Sequence, residues 1–513
     1  MDRGVGVRGT RRKQKVSHAR ENGPIYKKPT YSRTLLTGAI LALCLSWGNA
    51  WADPNMNLPD MGGTAQAYLS TEEERRMGEA FMRSVRRSVH IVTDPEIDDY
   101  IQTLGYRLAS YGAFKDREFS FFVVDSPVIN AFAGPGGHIG IHSGLILITE
   151  SESELASVVA HEIAHVTQRH IARAVEAASR SNIPMTAALI AALILSSQDA
   201  QMGTAALAAT TAGSIQRQIN FTRGNEKEAD RIGIQILADA NFDPRRMPLF
   251  FDRMRRASMG PENPQFEFLR THPVTTSRIA DTRNRAEQYP QGKYRESLNY
   301  ALIKARLRVL AEKNPQRSKA YFAARMEKEG AHPSAATRYG YALALLKTGD
   351  YADAHKLTAQ LAQQDPDRIA YQIHLARIKM AAGRIDDALA IFRDNLALYP
   401  NNKPLTMLYA NALIQTGQPD KASKVLRDYL REKRESTPLY YSLLAQAESD
   451  SGNQVAAHQA LAEYYDLVGQ TASAIAQLKI AIEGVKEEDA IRQAQIKARL
   501  KVLREQLRQE EDH

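Results

Sequence analysis

From about residue 300 onward the chain repeats itself. Gly349, Gly383 and Gly417 recur every 34 residues, and Gly452 follows one residue late. Each has an alanine five positions on: Ala354, Ala388, Ala422 and Ala457. Gly469 with Ala474 repeats that spacing at half a period, and Pro366 and Pro400 close two units at matching places. The stretch is rich in Ala, Leu, Tyr and Gln with helical periodicity, which predicts paired helices. The glycine permits the tight turn within a pair, and the alanine lets its helices pack closely. One such pair cannot bury its own apolar faces, so four or five units must stack into a curved solenoid with a concave surface. A generic helical bundle is the competing fold, and the regular register argues against it. Arrays of this kind carry no chemistry; they bind peptides or protein partners.

Chemistry enters at His161-Glu162-Ile163-Ala164-His165. Histidines four apart share one face of a helix, so both imidazoles can converge on a single Zn²⁺, and the intervening glutamate can reach the water on that metal. The helix is predicted independently. Ser151 to Glu154 makes a capping box, and Leu155, Val158, Val159, Ile163 and Val166 form an apolar stripe. An exposed helix with two surface histidines is the alternative, and a third ligand decides between them. A ligand on the downstream turn needs glycine and histidine where the chain has Gln168 and Ile171, and His170, one residue out of register, reads as an ordinary surface histidine. A second helix offers Asn225-Glu226-Lys227-Glu228-Ala229-Asp230. There Glu226 and Asp230 share a face, so Glu226 can bind the metal while Asp230 accepts the other N–H of a ligating histidine. Glu228 is assigned to a solvated face.

Two further segments flank these helices: Asn130-Ala131-Phe132-Ala133-Gly134-Pro135-Gly136-Gly137-His138-Ile139, and Thr271-His272-Pro273 with Ser277-Arg278-Ile279. Together the motifs span residues from about 70 to 285 and resemble the M48 family of zinc metallopeptidases, a gluzincin group. The resemblance implies a mainly α chain: a gluzincin-type α+β protease domain, helical with a small sheet, then an all-α repeat solenoid. It also implies one Zn²⁺ per chain held by His161, His165 and Glu226, with Glu162 and Asp230 as the catalytic carboxylates. Such a metal polarises the scissile carbonyl and acidifies its water, and Glu162 passes the water proton to the leaving amine.

His138-Ile139-Gly140-Ile141-His142 alternates like a strand after a Gly/Pro turn, so His138, Ile139, Gly140 and Ile141 are a candidate edge strand for pairing with an extended peptide. An ordinary core strand fits the pattern equally, and neither His138 nor His142 is assigned as a ligand. His272 has two readings: it shapes the T-H-P turn, or it is a fourth zinc ligand that keeps the enzyme latent. Arg278 is the candidate oxyanion stabiliser.

The chain's formal charge of +9 does not point to nucleic acid, because it is concentrated at one end. Residues 1–52 carry 10 Lys+Arg against 2 Asp+Glu; the remainder carries 57 against 56. Lys27, Lys28 and Arg33 precede an apolar core from Leu35 to Trp47, and Ala50-Trp51-Ala52 supplies small residues before a cut at Asp53. Residues 1–52 are therefore expected to be a leader and signal peptide. Cys44, the only cysteine, falls inside it, so the mature chain suits an oxidising compartment without disulfides. Ile183 to Leu195 and Met202 to Ala212 are apolar but shorter than the roughly twenty residues a span requires. They are read as a helical hairpin without a transmembrane segment, the alternative being contact with a membrane surface or an apolar partner.

The repeats themselves are similar to tetratricopeptide repeats. Protease domain at 53–290, repeats at 298–508 and a signal peptide together resemble the repeat-bearing, β-barrel assembly-enhancing branch of the M48 peptidases in Gram-negative periplasm. That likeness implies degradation of misfolded or stalled outer-membrane proteins, help with their assembly, and β-barrel clients and the outer-membrane assembly machinery as partners. Two rival readings are a chaperone or adaptor with a latent zinc site, and a general periplasmic peptidase whose repeats only add stability.

Overall fold

The computed structural model describes residues 70–112, 118–179, 212–258, 266–294, 296–432 and 437–511. The expected signal peptide, Cys44 and, but for Ala212, both short apolar segments lie outside these residues.

The first half begins with α1 (Thr71–Ser88), opened by a capping box between Ser70 and Glu73. In α2 (Pro95–Ala109), Pro95 takes the first turn and Asp94 accepts from the amides of Glu96 and Ile97. A sheet follows, made of β1 (Ser120–Val124), β2 (Ala131–Ala133) and β3 (His138–His142). Its order is β1-β3-β2, with β3 parallel to β1 and antiparallel to β2. Phe121 lies opposite Ile139, and Ala131 opposite Ile141.

This order corrects the expectation for His138, Ile139, Gly140 and Ile141: their strand is the central one, not an edge. Period-two alternation is the same for both, and what distinguishes them is whether two neighbours arrive. Both do, from segments earlier in the chain. Among the described residues, β2 is the outer strand on that side.

Helices α3 (Ser143–Ile148), α4 (Glu152–Thr167), α5 (His170–Ser179), α6 (Ala212–Asp239), α7 (Arg246–Ala257), α8 (Phe268–Thr271) and α9 (Thr276–Glu287) complete this half. Ser151 caps α4 through the Glu154 amide, but the Glu154 carboxylate turns to the Glu150 amide and Arg253, so the capping box closes one way only. Every residue of α4 except His165 is buried. The predicted stripe packs into one core with Phe121, Val123, Ile139 and Ile141 of the sheet, Ile101 and Leu104 of α2, and Ile234 and Leu237 of α6. The helix that carries the histidines is thus the central rod of the domain.

The second half is the predicted series of helix pairs. In order these are α10 (Leu298–Ala311), α11 (Pro315–Glu329), α12 (Ala335–Thr348), α13 (Tyr351–Gln364), α14 (Ile369–Ala381) and α15 (Ile385–Leu398). Then come α16 (Lys403–Gln415), α17 (Pro419–Glu432), α18 (Pro438–Asp450), α19 (Gln454–Leu467), α20 (Thr471–Glu483) and α21 (Ala490–Glu511). Gly349, Gly383, Gly417, Gly452 and Gly469 all take φ between 72° and 84°, the left-handed turn that glycine adopts without a Cβ penalty. Ala354, Ala388, Ala422, Ala457 and Ala474 are all buried between the paired helices.

The halves are joined at both ends of the array. Tyr300, Ile303 and Leu307 of α10 belong to the same core as α4, and Arg306 of α10 pairs with Asp94 and Glu96 at 2.7 Å each. Lys403 pairs with Asp98 at 2.7 Å. Farther along, Arg86 donates to the Leu467 carbonyl at 2.7 Å and Arg83 meets Glu510 at 3.1 Å. No helix of the described residues is long and apolar enough to cross a membrane.

Candidate metal centre

α4 sets His161 and His165 one turn apart, and α6 sets Glu226 and Asp230 one turn apart. The helices approach closely at Gly233, where an added Cβ would stand 3.3 Å from the His161 amide nitrogen. The ring nitrogens Nε2 of His161 and His165 are 3.1 Å apart, and each lies 3.4 Å from a Glu226 carboxylate oxygen. His272, just past α8, brings its Nδ1 to 3.3 Å from His161 and 2.9 Å from Glu226. These four are the metal-capable group among the described residues.

Their spacing is itself informative. Nitrogen and oxygen ligands at zinc distances of about 2.0–2.1 Å in a tetrahedron lie about 3.3 Å from one another. Neighbouring donors stand 2.9 to 3.4 Å apart, separations of that size, and one donor atom from each of the four residues lies within 4.8 Å of the others. The electrostatics agree. Burial alone would lower the His161 imidazolium, yet Asp230 and Glu226 raise it to about 10. Burial likewise opposes ionising Glu226, and His272, His161 and His165 hold it well below the ordinary carboxylate value. A buried carboxylate held ionised among imidazoles favours positive charge at this place.

Glu162 lies beside the group, buried, with neither carboxylate oxygen hydrogen-bonded, and its Oε1 is 3.5 Å from His272 Nε2. Asp230 faces His161 Nδ1 at 3.0 Å, the place for fixing that ring's tautomer.

Two expectations need correction. Arg278 is not placed to stabilise an oxyanion. It donates twice to Asp230 at 2.8 Å and once to the Pro273 carbonyl at 2.9 Å, and its remaining reach ends on Glu226 at 2.7 Å. Its sequence position gave the right charge; the acidic pair of α6 captures it. Nor is His170 a surface histidine. It is buried, with Nδ1 2.8 Å from Nδ1 of His165 and Nε2 3.3 Å from Glu228, which Arg173 also holds at 2.8 Å. Positions five apart diverge on a straight helix, so their spacing gives no warning of this contact. His138 and His142 stay outside the group, and burial pushes each down to about 4. Sequence reasoning also missed Phe268, which stacks on His272 with centroids 4.8 Å apart.

Comparison with known proteins places this geometry. Residues 95–286 match peptidase family M48, and residues 379–447 match the tetratricopeptide repeat. The chain is 36% identical over 457 residues to the β-barrel assembly-enhancing protease of Escherichia coli K12, covering 89% of this chain and 93% of that one. It is 38% identical to a putative β-barrel assembly-enhancing protease of Vibrio cholerae, over 82% and 87% of the two chains. A mitochondrial metalloendopeptidase of Schizosaccharomyces pombe shares 30% identity across 35% of this chain and 50% of its own. Catalytic helices and repeats thus match together, over nearly the whole length of the bacterial relatives, and the chain belongs to the β-barrel assembly-enhancing protease family, metalloendopeptidases that join an M48 domain to tetratricopeptide repeats.

Proposed function

We propose that the chain is a periplasmic zinc endopeptidase that degrades misfolded or stalled outer-membrane proteins and assists their assembly. Residues 53–290 form its protease domain. Residues 298–508 recruit the β-barrel clients and the assembly machinery. The observation that carries this reading is the convergence of donor atoms from His161, His165, Glu226 and His272 within 4.8 Å of one another, beside an unbonded, buried Glu162. The basic, apolar leader and the names of the bacterial relatives support the compartment and the clients.

In this reading His161, His165 and Glu226 hold one zinc per chain. When bound, the metal supplies Lewis-acid polarisation of a peptide carbonyl and a more acidic water. Glu162 accepts the proton of the attacking water and delivers it to the leaving amine. Asp230, itself held by Arg278, keeps the His161 ring in place. An extended substrate pairs with β2, which packs against α4 and is the outer strand on its side of the sheet among the described residues. His272 is the fourth donor and the latency device: with its ring in the group, the position a substrate oxygen needs is taken, and withdrawal of the Thr271–Pro273 turn frees it.

Casein cleavage and zinc content of parent, Glu162→Gln and His272→Ala test these roles. Glu162→Gln should retain zinc while cleavage falls by about 10²–10⁴-fold, the usual worth of a general base. His272→Ala should cleave faster than the parent. Full activity in Glu162→Gln overturns the assignment of the base, and unchanged proteolysis with unchanged zinc affinity in His272→Ala overturns latency.

A further inference from the structure

The two histidines of α4 are anchored differently. His161 turns its far nitrogen to Asp230, whereas the far nitrogen of His165 meets another imidazole. Nδ1 of His165 instead faces Nδ1 of His170 at 2.8 Å, and Nε2 of His170 faces Glu228 at 3.3 Å. Arg173 fixes that same carboxylate oxygen at 2.8 Å. A chain of polar groups therefore runs outward from the site to the surface of α5 and α6.

The proton positions along it follow from chemistry. Two neutral imidazoles facing each other through Nδ1 bond only if one donates and the other accepts. A His165 that ligates through Nε2 keeps its proton on Nδ1, so His165 donates and His170 accepts. The remaining proton of His170 then sits on Nε2, where Glu228 accepts it. Each bond fixes the next.

The fold goes out of its way to make this contact. On a continuous helix, residues five apart point about 140° away from each other. Between α4 and α5, Arg169 adopts φ 52°, a conformation uncommon for a residue with a Cβ, and its guanidinium reaches Glu74 at 3.3 Å. The resulting kink folds His170 back, so the rings of His165 and His170 meet edge to face with centroids 4.8 Å apart. Glu228 stands two residues after Glu226, so the same chain ties α5 to the helix that bears the third ligand.

We propose that His170 is a positioning residue of the metal centre, fixing the tautomer and ring plane of His165, and that Glu228 orients His170 as Asp230 orients His161. The proposal rests on the reading of His165 as a zinc ligand.

The test uses the full-length protein and zinc alone, with affinity measured by chelator competition for the parent, H170F, H170N and E228Q. H170F should lose about 10–100-fold in zinc affinity, the usual effect of removing a partner of a ligating histidine. E228Q should lose less, in the same direction. H170N offers a side-chain oxygen in place of Nδ1 and should recover most of the loss, with the visible spectrum of its cobalt-substituted form close to the parent's. A parent that binds one zinc and an E228Q of parental affinity overturn the relay while leaving the metal site intact. Equal loss in H170N and H170F assigns the effect to packing and overturns it too. A parent that binds no zinc overturns the metal centre itself. Should H170F fail to fold, H170N and E228Q decide.

Discussion

Replacing Arg306 by methionine should destabilise the protein more than any other single change at the junction of its halves. The guanidinium is buried on α10, donating to Asp94 through Nε at 2.8 Å and Nη2 at 2.7 Å, while Nη1 meets Glu96 at 2.7 Å. Tyr339 of α12 closes the cluster at 3.4 Å from both Arg306 and Glu96. Removing the cation strands two buried carboxylates, and breaking one buried pair this way costs about 3–5 kcal/mol. Because two acids lose the same partner, the upper end of that range is expected. The sign with pH also follows. Burial pushes Asp94 up, but Arg306 overrides it and holds the group below its ordinary 3.8; Glu96 stays raised by burial. In the parent, Asp94 therefore adds stability above its unfolded pKa of about 3.9, lost as the pH falls below it. In R306M burial is opposed by the weaker pull of Arg377, the Ile97 amide on Asp94 and the Tyr339 hydroxyl on Glu96, so the folded values of both acids rise, and the penalty is greatest at neutral pH and shrinks as the pH drops toward about 4. Urea unfolding of the full chain at pH 7.5 and pH 5.5 reads both effects. The triple variant D94N/E96Q/R306M, uncharged and still able to cap α2, should regain most of the loss. A loss under about 1 kcal/mol at pH 7.5, or an equal loss at both pH values, refutes the reasoning.

Asp230→Asn, which loosens both His161 and Arg278, should weaken zinc binding by about 10–100-fold in chelator competition; parental affinity contradicts it. His374 is fully buried, and burial, then Arg377 and Arg306, push it down to about 3. A depressed histidine contributes stability that is complete above about 6.5 and lost as the pH falls toward its folded value, so His374→Leu should flatten stability against pH over that window. An unchanged slope rules this out. Gly383→Ala meets no atom within 4 Å at φ 77° and should cost only the backbone term of about 1–2 kcal/mol. Gly469→Ala should cost more in the same urea titration, because its Cβ would stand 2.8 Å from the Arg83 carbonyl of the catalytic half. Equal losses at the two positions count against that contact.

What could be seen in the sequence was whatever geometry imposes locally. The left-handed turns between paired helices select glycine, so Gly349, Gly383 and Gly417 advertise the array. Side chains one helical turn apart advertise a shared face, so the grouping of His161 with His165 and of Glu226 with Asp230 was legible. Elements fixed by distant neighbours were not. The alternation of His138 to His142 is blind to whether one strand or two will flank it. Arg278 showed its charge but not its direction, which the carboxylates of α6 decide. Arg306 and Asp94 are 212 residues apart and leave no local pattern. His170 was missed because the kink at Arg169 has neither glycine nor proline to announce it.

Zinc content together with zinc K-edge X-ray absorption of the purified Glu162→Gln protein addresses the metal centre itself. The account predicts one zinc per chain in a shell of nitrogen and oxygen at about 2.0–2.1 Å, with imidazole scattering, lost on Glu226→Ala. A protein without zinc, or one whose zinc and spectrum are unchanged by Glu226→Ala, contradicts it.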